Sequence, residues 1–284
     1  MTNPLIEARQ AFSSRWPETF REVNGRRWGL IRAGQAGPAL VLMPGTLGRA
    51  DIFWHQIEAL QGEARILALS YPGAGGIEAW AGDIAALIEA EGMQGATVLG
   101  SSLGGYAAQY VTARHAGLVG GLVAANTLSD VTIVEGIAPY ALDLDTVEID
   151  LLRNGFLAGL KGWQVAGHPY ADLAGLLMGE VHGRIPEDEM RARLKALKHG
   201  PVLPPQSLPT GRIFTVESDD DHLIPPPVRA ALRAALRPDR AYRFAAASHF
   251  PYVTRPGEYT ALLREVLGLA PAGRSWPQGA ESRL

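Results

Sequence analysis

The chain has 284 residues, of which 47% are hydrophobic, and its formal net charge is −3. This length suits one large domain, or one domain with an insertion, around a substantial core. The charge gives no basic field that would attract phosphates or an anionic membrane, so we expect neither a nucleic-acid nor a membrane partner. The lack of cysteine excludes disulfides, thiolate metal sites and a cysteine nucleophile.

The N-terminal residues show no basic stretch followed by an apolar run, which a secretory signal requires. No window of the sequence is apolar for long enough to cross a bilayer. We therefore expect a cytoplasmic protein.

Strands and helices alternate in the first part of the chain. Residues 20–23 and 28–32 flank Asn24-Gly25, a typical two-residue hairpin turn. Continuous apolar runs predict buried strands, and apolar residues at helical spacing predict the helices between them. The predicted strands after the hairpin are residues 39–43, 65–69, 96–100 and 118–125. Asp51 is expected to cap the helix after the first of these. The alternation predicts an α/β fold with a doubly wound, mostly parallel sheet.

The alternation is interrupted at about residue 130. Helices are predicted near residues 146–160, near residues 171–178 and from Pro186, with no strong strand among them. The later elements are a strand at 212–216, a helix at 228–236, a strand at 241–245 and a helix from Pro256. We therefore divide the chain into a core, a helical cap inserted into it and a flexible tail. These are residues 1–129 with 206–270, residues 130–205, and residues 271–284.

A candidate nucleophile lies in the sequence Gly100-Ser101-Ser102-Leu103-Gly104. This G-x-S-x-G pattern falls between a predicted strand and a predicted helix, as a nucleophile elbow requires. Ser102 would lie at the helix N-terminus, where developing negative charge is favoured. Ser101 is the weaker candidate because it is not at the centre of the motif. The alternative is an ordinary glycine-rich turn, such as one that binds phosphate.

A serine hydroxyl needs a base within hydrogen-bonding distance to act as a nucleophile. Of the seven histidines, His249 fits best because it follows the last predicted strand. It should therefore lie at the same carboxyl edge of the sheet as Ser102, where doubly wound sheets hold their active sites. The alternative is a histidine in a surface loop.

The acid that would orient His249 is expected among three adjacent aspartates, residues 219–221. Asp221 is preferred because it precedes an apolar pair and a proline. Asp219 and Asp220 stay open as the acid, as does Asp130, which follows an earlier strand. The alternative is a solvated acidic loop.

Acyl transfer also needs donors for an oxyanion. We expect these to be the backbone N–H groups of Leu103, just after the nucleophile, and Thr46, in the loop after strand 39–43. Apolar residues of the cap and of nearby loops are expected to line the substrate pocket: Leu47, Phe156, Trp163, Leu223 and Phe250. The alternative for each is simple packing of the cap on the core.

These motifs resemble those of the α/β-hydrolase superfamily over nearly the whole chain. The matching segments are Pro44-Gly45-Thr46, residues 100–105, residues 221–225 and the loop of His249. A narrower resemblance is to maspardin and its bacterial relatives. It rests on residues 50–57, 68–72, 104–109, 126–130 and 250–252. The resemblance implies a serine hydrolase that cleaves carboxylic esters through an acyl-enzyme and uses no metal or organic cofactor.

Two positions depart from the family pattern. Pro44 replaces a common histidine, which is expected to reshape the oxyanion hole while leaving the Thr46 N–H available. Ser218 replaces the usual glycine three residues before the acid, which weakens the choice of Asp221.

Several functions stay open at this point. The same triad could hydrolyse lactones, amides or carbon–carbon bonds, or carry out perhydrolysis, or the chain could be a maspardin-like binding protein with little activity. Ser102 argues against a haloalkane dehalogenase or epoxide hydrolase, since those enzymes carry a carboxylate at the elbow. We expect a small-molecule, ester-like substrate and leave open whether the chain forms a homodimer.

Overall fold

The computed structural model describes residues 3–271 and 281–282. Within these residues the strands are β1 Thr19–Val23, β2 Arg26–Ala33, β3 Ala39–Met43, β4 Arg65–Ser70, β5 Ala96–Ser101, β6 Val119–Ala125, β7 Ile213–Ser218, β8 Arg240–Phe244 and β9 Glu281–Ser282. The α-helices are α1 Pro4–Arg15, α2 Trp54–Leu60, α3 Ile77–Ala90, α4 Leu103–Arg114, α5 Ile149–Lys161, α6 Ala171–Gly179, α7 Glu187–Lys198, α8 Pro226–Leu236, α9 Pro251–Thr254 and α10 Pro256–Val266. Short 3-10 helices cover Ala50–Phe53, Val131–Val134 and Thr210–Arg212, and a π-helical turn covers Glu180–Arg184.

All strands of the described residues belong to one nine-stranded sheet, in the order β1-β2-β4-β3-β5-β6-β7-β8-β9. From β4 to β8 every neighbouring pair is parallel. The pairs β1–β2, β2–β4 and β8–β9 are antiparallel. The predicted α/β fold with a mostly parallel sheet is therefore confirmed.

Helices cover both faces of this sheet. Leu40 and Leu42 of β3 belong to a buried cluster that includes residues of α2 and α10. Val41 and Met43 belong to a second cluster that includes residues of α3, α4 and α8. A strand that is buried on both faces must be apolar at every position, which is why β3 could be predicted from its sequence alone.

The hairpin that opens the sheet lies where the sequence predicts it. Asn24 and Gly25 form the turn with φ angles of 50° and 75°, a left-handed pair that matches the twist of the flanking strands. Asp83 of α3 holds this hairpin in place. Its carboxylate accepts hydrogen bonds from the side chains of Asn24, Arg26 and Trp28.

The segment between β6 and β7, residues 126–212, is fully described and contains no strand. It holds α5, α6 and α7, close to the helices that the sequence predicts. Met190, Leu194 and Leu197 are buried on one face of α7, as their spacing indicates. The assignment of residues 130–205 as a cap stays a prediction.

Asp51 does not cap a helix, because it lies inside the 3-10 helix that precedes α2. Its carboxylate accepts hydrogen bonds from Ser13 at 3.0 Å and from Arg184 at 3.1 Å.

Of the predicted tail, residues 281–282 pair with β8, and residues 272–280 and 283–284 lie outside the described residues. No helix in the described part of the chain is long and apolar enough to cross a membrane.

Candidate active site

Ser102 lies in the turn between β5 and α4, with φ 54° and ψ −120°. A positive φ costs a non-glycine residue on the order of 1 kcal/mol or more. Neighbouring groups hold the turn in this conformation. The Ser102 N–H donates to the Ala125 carbonyl at 2.9 Å, and Thr127 Oγ1 donates to the Ser102 carbonyl at 2.6 Å. The Ser102 side chain is thus held at the carboxyl edge of the sheet.

Glycines on both sides allow this turn to pack closely. A Cβ at Gly100 would lie 1.9 Å from the Gly104 carbonyl oxygen, and one at Gly104 would lie 2.3 Å from that of Met43. Gly45 faces the serine directly, since a Cβ there would lie 3.1 Å from the Cβ of Ser102. The loop after β3 is therefore placed against the candidate nucleophile.

His249 and Asp221 form a buried pair at the same edge. His249 follows β8 and Asp221 follows β7, and these strands are neighbours in the sheet. Nδ1 of His249 lies 2.8 Å from Oδ2 of Asp221. Only 5% of His249 and 3% of Asp221 are exposed. The pair leaves the other ring nitrogen, Nε2, free of this contact.

Hydrogen-bond donors surround the Asp221 carboxylate. Asn126 Nδ2 donates to Oδ2 at 2.9 Å, and the backbone N–H groups of Leu223 and Ile224 donate to Oδ1 at 2.9 and 3.2 Å. Burial by itself would raise the pKa of Asp221. Attraction to His249 and the hydrogen bonds outweigh burial, so the pKa of this carboxyl lies below its ordinary value. The carboxylate is held ionised and can orient the imidazole.

Asp220, the residue before it, has different partners. It accepts a hydrogen bond from the hydroxyl of Tyr170 at 2.5 Å. It also accepts from the backbone N–H groups of Ala247 and Ser248, both at 2.9 Å. Asp220 therefore holds the loop that carries His249.

The other two candidate acids lie away from the imidazole. Asp219 is exposed and pairs with Arg243 at 2.6 Å. Asp130 is also exposed, and it accepts the backbone N–H of Thr132 at 2.9 Å. Of the four candidates, Asp221 is the one that the structure brings to His249.

Unpaired backbone N–H groups lie beside Ser102. Leu103 is the first residue of α4, and Thr46 and Leu47 lie in a turn that a Gly48 N–H to Gly45 carbonyl bond closes at 3.2 Å. Within the described residues, the N–H groups of Leu103, Thr46 and Leu47 have no acceptor. Such groups are suited to bind an oxygen that becomes negatively charged.

The fold accommodates both departures from the family pattern. The carbonyl of Pro44 accepts a hydrogen bond from the buried hydroxyl of Tyr71 at 2.9 Å, which anchors the start of the loop after β3. Ser218 is fully buried, and its Oγ lies 3.4 Å from Asn126 Nδ2. Ser218 thus contacts the side chain that also binds Asp221.

A cavity of about 870 Å³ opens beside these groups. Ser102, Asp221 and His249 line it, as do all the residues predicted for the pocket: Leu47, Phe156, Trp163, Leu223 and Phe250. Among the described lining residues none is Arg or Lys. Its volume lies in the upper part of the range for small-molecule sites. Leu223, one of the lining residues, is 66% exposed.

Sequence reasoning missed three residues, Asn126, Tyr170 and Arg193, that do not line the cavity but hydrogen-bond to Asp221, Asp220 and Thr46, which do. Asn126 lies at the carboxyl end of β6, and that position is a signal that could have identified it. Tyr170 and Arg193 carry no such signal, because both come from the segment between β6 and β7 and reach the site only through tertiary contacts. Arg193 donates hydrogen bonds to the carbonyls of Thr46 and Gly48.

Comparison with solved structures gives proteins of the same fold. An enol-lactonase from Burkholderia xenovorans superposes with a TM-score of 0.73 at 21% identity, covering 88% of this chain and 100% of that chain. An esterase from a Rhodococcus species superposes with a TM-score of 0.68 at 18% identity, covering 89% of this chain and 98% of that chain. An epoxide hydrolase from Bacillus megaterium superposes with a TM-score of 0.60 at 17% identity, covering 88% of this chain and 100% of that chain. At these identities the likeness shows the fold alone.

At the level of sequence, no curated protein matches the chain. Residues 40–262 match the profile of a family described as the alpha/beta hydrolase family. This match spans well over half of the chain and covers β4 to β8 in full and β3 from its second residue. The chain therefore belongs to the alpha/beta hydrolase family.

Proposed function

We propose that this protein is a serine hydrolase that cleaves carboxylic esters through an acyl-enzyme. One observation carries the proposal. Ser102, held at a positive φ, shares a single cavity with the buried pair of His249 and Asp221. A strained serine at a helix N-terminus, a base and an ionised acid are the parts that nucleophilic acyl transfer needs.

In the proposed mechanism, Nε2 of His249 takes the hydroxyl proton as Ser102 attacks the ester carbonyl carbon. The N–H groups of Leu103 and Thr46 bind the oxyanion of the tetrahedral intermediate. His249 then gives its proton to the departing alcohol, which leaves an acyl-enzyme. Water attacks the acyl carbon, His249 takes a proton from that water, and Ser102 is released with its proton restored. Asp221 orients the imidazole throughout.

The cavity supports a particular kind of ester. Its walls are largely leucine and aromatic side chains, and no Arg or Lys is among its described lining residues. A carboxylate or phosphate on the substrate would have no cation to pair with, and burying an unpaired charge is costly. We therefore propose an uncharged ester with a large apolar part. Residues 130–205 would act as a cap, since α5 and α6 supply part of the wall.

Labelling with a fluorophosphonate tests whether Ser102 is activated. We expect the intact mass to rise by one phosphonyl group, with peptide mapping placing it on Ser102. Ser102→Ala should lose both the label and the hydrolysis of p-nitrophenyl butyrate. Ser14→Ala, which changes an exposed serine of α1, should keep both.

The outcomes separate the competing functions. Turnover by Ser102→Ala at the wild-type rate would exclude the proposed mechanism. A folded protein with an unlabelled Ser102 would favour a maspardin-like binding protein. A labelled Ser102 with faster turnover of lactones or amides than of esters would keep the nucleophile and change the bond that is cleaved.

A further inference from the structure

Arg193 of α7 is a fully buried arginine that contacts the loop after β3. Its Nη1 donates to the carbonyl oxygens of Thr46 at 3.0 Å and Gly48 at 2.7 Å. Its Nη2 donates to Glu189 at 2.8 Å. Burying a guanidinium is costly unless its charge and donors are satisfied. Here two of its hydrogen bonds go to backbone carbonyls of a single loop, which fixes the conformation of that loop.

The contact with Thr46 sets the direction of an N–H group. In a planar trans peptide, the C=O of one residue and the N–H of the next point to opposite sides. Because Arg193 holds the Thr46 carbonyl, it also fixes the peptide plane that carries the Leu47 N–H, which points away from the guanidinium. Thr46 and Leu47 both line the cavity with Ser102, and within the described residues neither N–H has an acceptor.

Residues 44–48, the candidate oxyanion loop, are held at three points. Tyr71 donates to the carbonyl of Pro44 at 2.9 Å. Arg193 holds the middle of the loop. Arg49, directly after it, donates to Glu189 at 2.6 Å, and Glu189 also accepts from Arg193. Two of the three anchors therefore come from α7, in the segment between β6 and β7.

We propose that Arg193 is a positioning residue that holds the oxyanion loop ready for catalysis, so that docking of α7 completes the active site. The proposal rests on the proposed function and deepens it. Beside the Thr46 N–H, it makes the Leu47 N–H, whose peptide Arg193 holds, a second donor of this loop to the oxyanion. It extends that function to the cap, since a residue outside the α/β core sets the geometry of the core's oxyanion donors.

The competing explanation is that Arg193 only ties α7 to the core. These roles differ in kinetics. An oxyanion forms in the transition state and not in the bound ester, so misplaced donors lower kcat and leave KM nearly unchanged. Loss of packing alone lowers the melting temperature without a selective loss of kcat.

The experiment compares Arg193→Met and Arg193→Lys with Arg184→Met in the full-length chain. Arg184 is the control, because it is a partly buried arginine of the same segment whose hydrogen bonds go to Asp51 and Glu180 instead of the loop. Each variant is checked for folding by circular dichroism and melting temperature. Its kcat and KM for p-nitrophenyl butyrate are then measured, together with its affinity for an alkyl boronic acid, which forms a tetrahedral adduct with an active serine.

We expect Arg193→Met to lower kcat by about 10- to 100-fold, somewhat less than outright loss of an oxyanion donor. Its KM should stay within about twofold, and boronic acid affinity should fall by a factor similar to that in kcat/KM. Arg193→Lys should recover part of kcat, because an ammonium can still donate to the loop carbonyls. Arg184→Met should lower the melting temperature and leave kcat within about twofold of wild type.

A lower melting temperature with wild-type kcat and boronic acid affinity in Arg193→Met would overturn the positioning role. If that variant does not fold, the same two readouts on Arg193→Lys decide. The proposed function fails under different results. If the wild-type protein does not hydrolyse the ester, or if Ser102→Ala hydrolyses it as fast as wild type, both the triad and the role of Arg193 are wrong. Turnover that depends on Ser102 but not on Arg193 overturns only the role of Arg193.

Discussion

Asn126 Nδ2 lies 2.9 Å from Oδ2 of Asp221, the same oxygen that His249 Nδ1 contacts at 2.8 Å. Asn126 thus helps to fix the carboxylate that orients the imidazole. Its backbone has a φ of 43°, a left-handed conformation that asparagine tolerates better than most residues. Both the backbone and the side chain of Asn126 therefore suit this position.

Asn126→Ala is expected to lower kcat/KM by about tenfold, because Asp221 loses a donor that holds it ionised and in place. Steady-state kinetics with p-nitrophenyl butyrate measures this. Asn24→Ala is the matched control: Asn24 also has a positive φ, 50°, and donates to a buried carboxylate, Asp83, in the hairpin. It should lower the melting temperature only. Equal kinetic losses in both variants would count against a role at the site.

The four candidate acids should separate by kinetics. Asp221→Asn is expected to lower kcat by about 10³- to 10⁴-fold, because the imidazole loses the acceptor that fixes its tautomer. Asp219→Asn and Asp130→Asn should stay within about twofold, since both side chains are exposed. Asp220→Asn should lower kcat by an intermediate factor, because Asp220 holds the backbone before His249. A larger loss in Asp220→Asn than in Asp221→Asn would reverse the assignment of the acid.

The pKa of Asp221 makes a prediction about stability at low pH. Its pKa in the folded protein lies below the unfolded value of 3.8. Such a group stabilises the fold above the unfolded pKa, and this contribution is lost as the pH falls through the folded pKa. The gap in melting temperature between wild type and Asp221→Asn should therefore be widest near neutrality and narrow below about pH 4. Thermal melts from pH 7 downward test this, and a gap that widens in acid would contradict it.

The backbone strain at Ser102 is measurable by substitution. Glycine adopts a positive φ without a Cβ clash, whereas alanine does not. The free energy of unfolding of Ser102→Gly should therefore be about 1 kcal/mol higher than that of Ser102→Ala. This holds even though glycine makes the unfolded chain more flexible, which by itself lowers stability. Denaturant unfolding of the two variants gives the difference. A more stable Ser102→Ala would mean that the turn is not strained.

Substrate charge should matter more than substrate length. We expect kcat/KM for mono-p-nitrophenyl glutarate to be about 100-fold lower than for its neutral methyl ester, because its carboxylate would enter an apolar cavity without a cation. The two substrates share the scissile bond and nearly the same length, so the comparison isolates the charge. Faster turnover of the anionic ester would show that a cation reaches the bound substrate.

Much of the fold could be predicted because its signals are local. The central strands are apolar runs, and the hairpin turn is encoded by Asn24 and Gly25. The order of Ser102, Asp221 and His249 along the chain, each after a parallel strand, placed them at one edge of the sheet. These inferences need only sequence periodicity and the geometry of a parallel sheet.

The remaining features depend on contacts between distant residues. Asp220 and Asp221 are adjacent in sequence, and only the hydroxyl of Tyr170 and the ring of His249 give them different partners. Arg193 lies four residues after Glu189, a spacing that in sequence indicates a solvent-exposed ion pair. Its burial against the loop after β3 appears only once α7 is packed in place.

The lack of Arg and Lys among the described residues that line the cavity also bears on how products leave. In the proposed reaction, hydrolysis of a neutral ester would create a carboxylate inside walls that offer no positive partner, beside the ionised Asp221. That reaction would convert a molecule that the cavity favours into one that it disfavours. The negative charge that hydrolysis creates would weaken binding of the acid product and favour its release. An apolar pocket could therefore bind large esters without strong inhibition by their acid products.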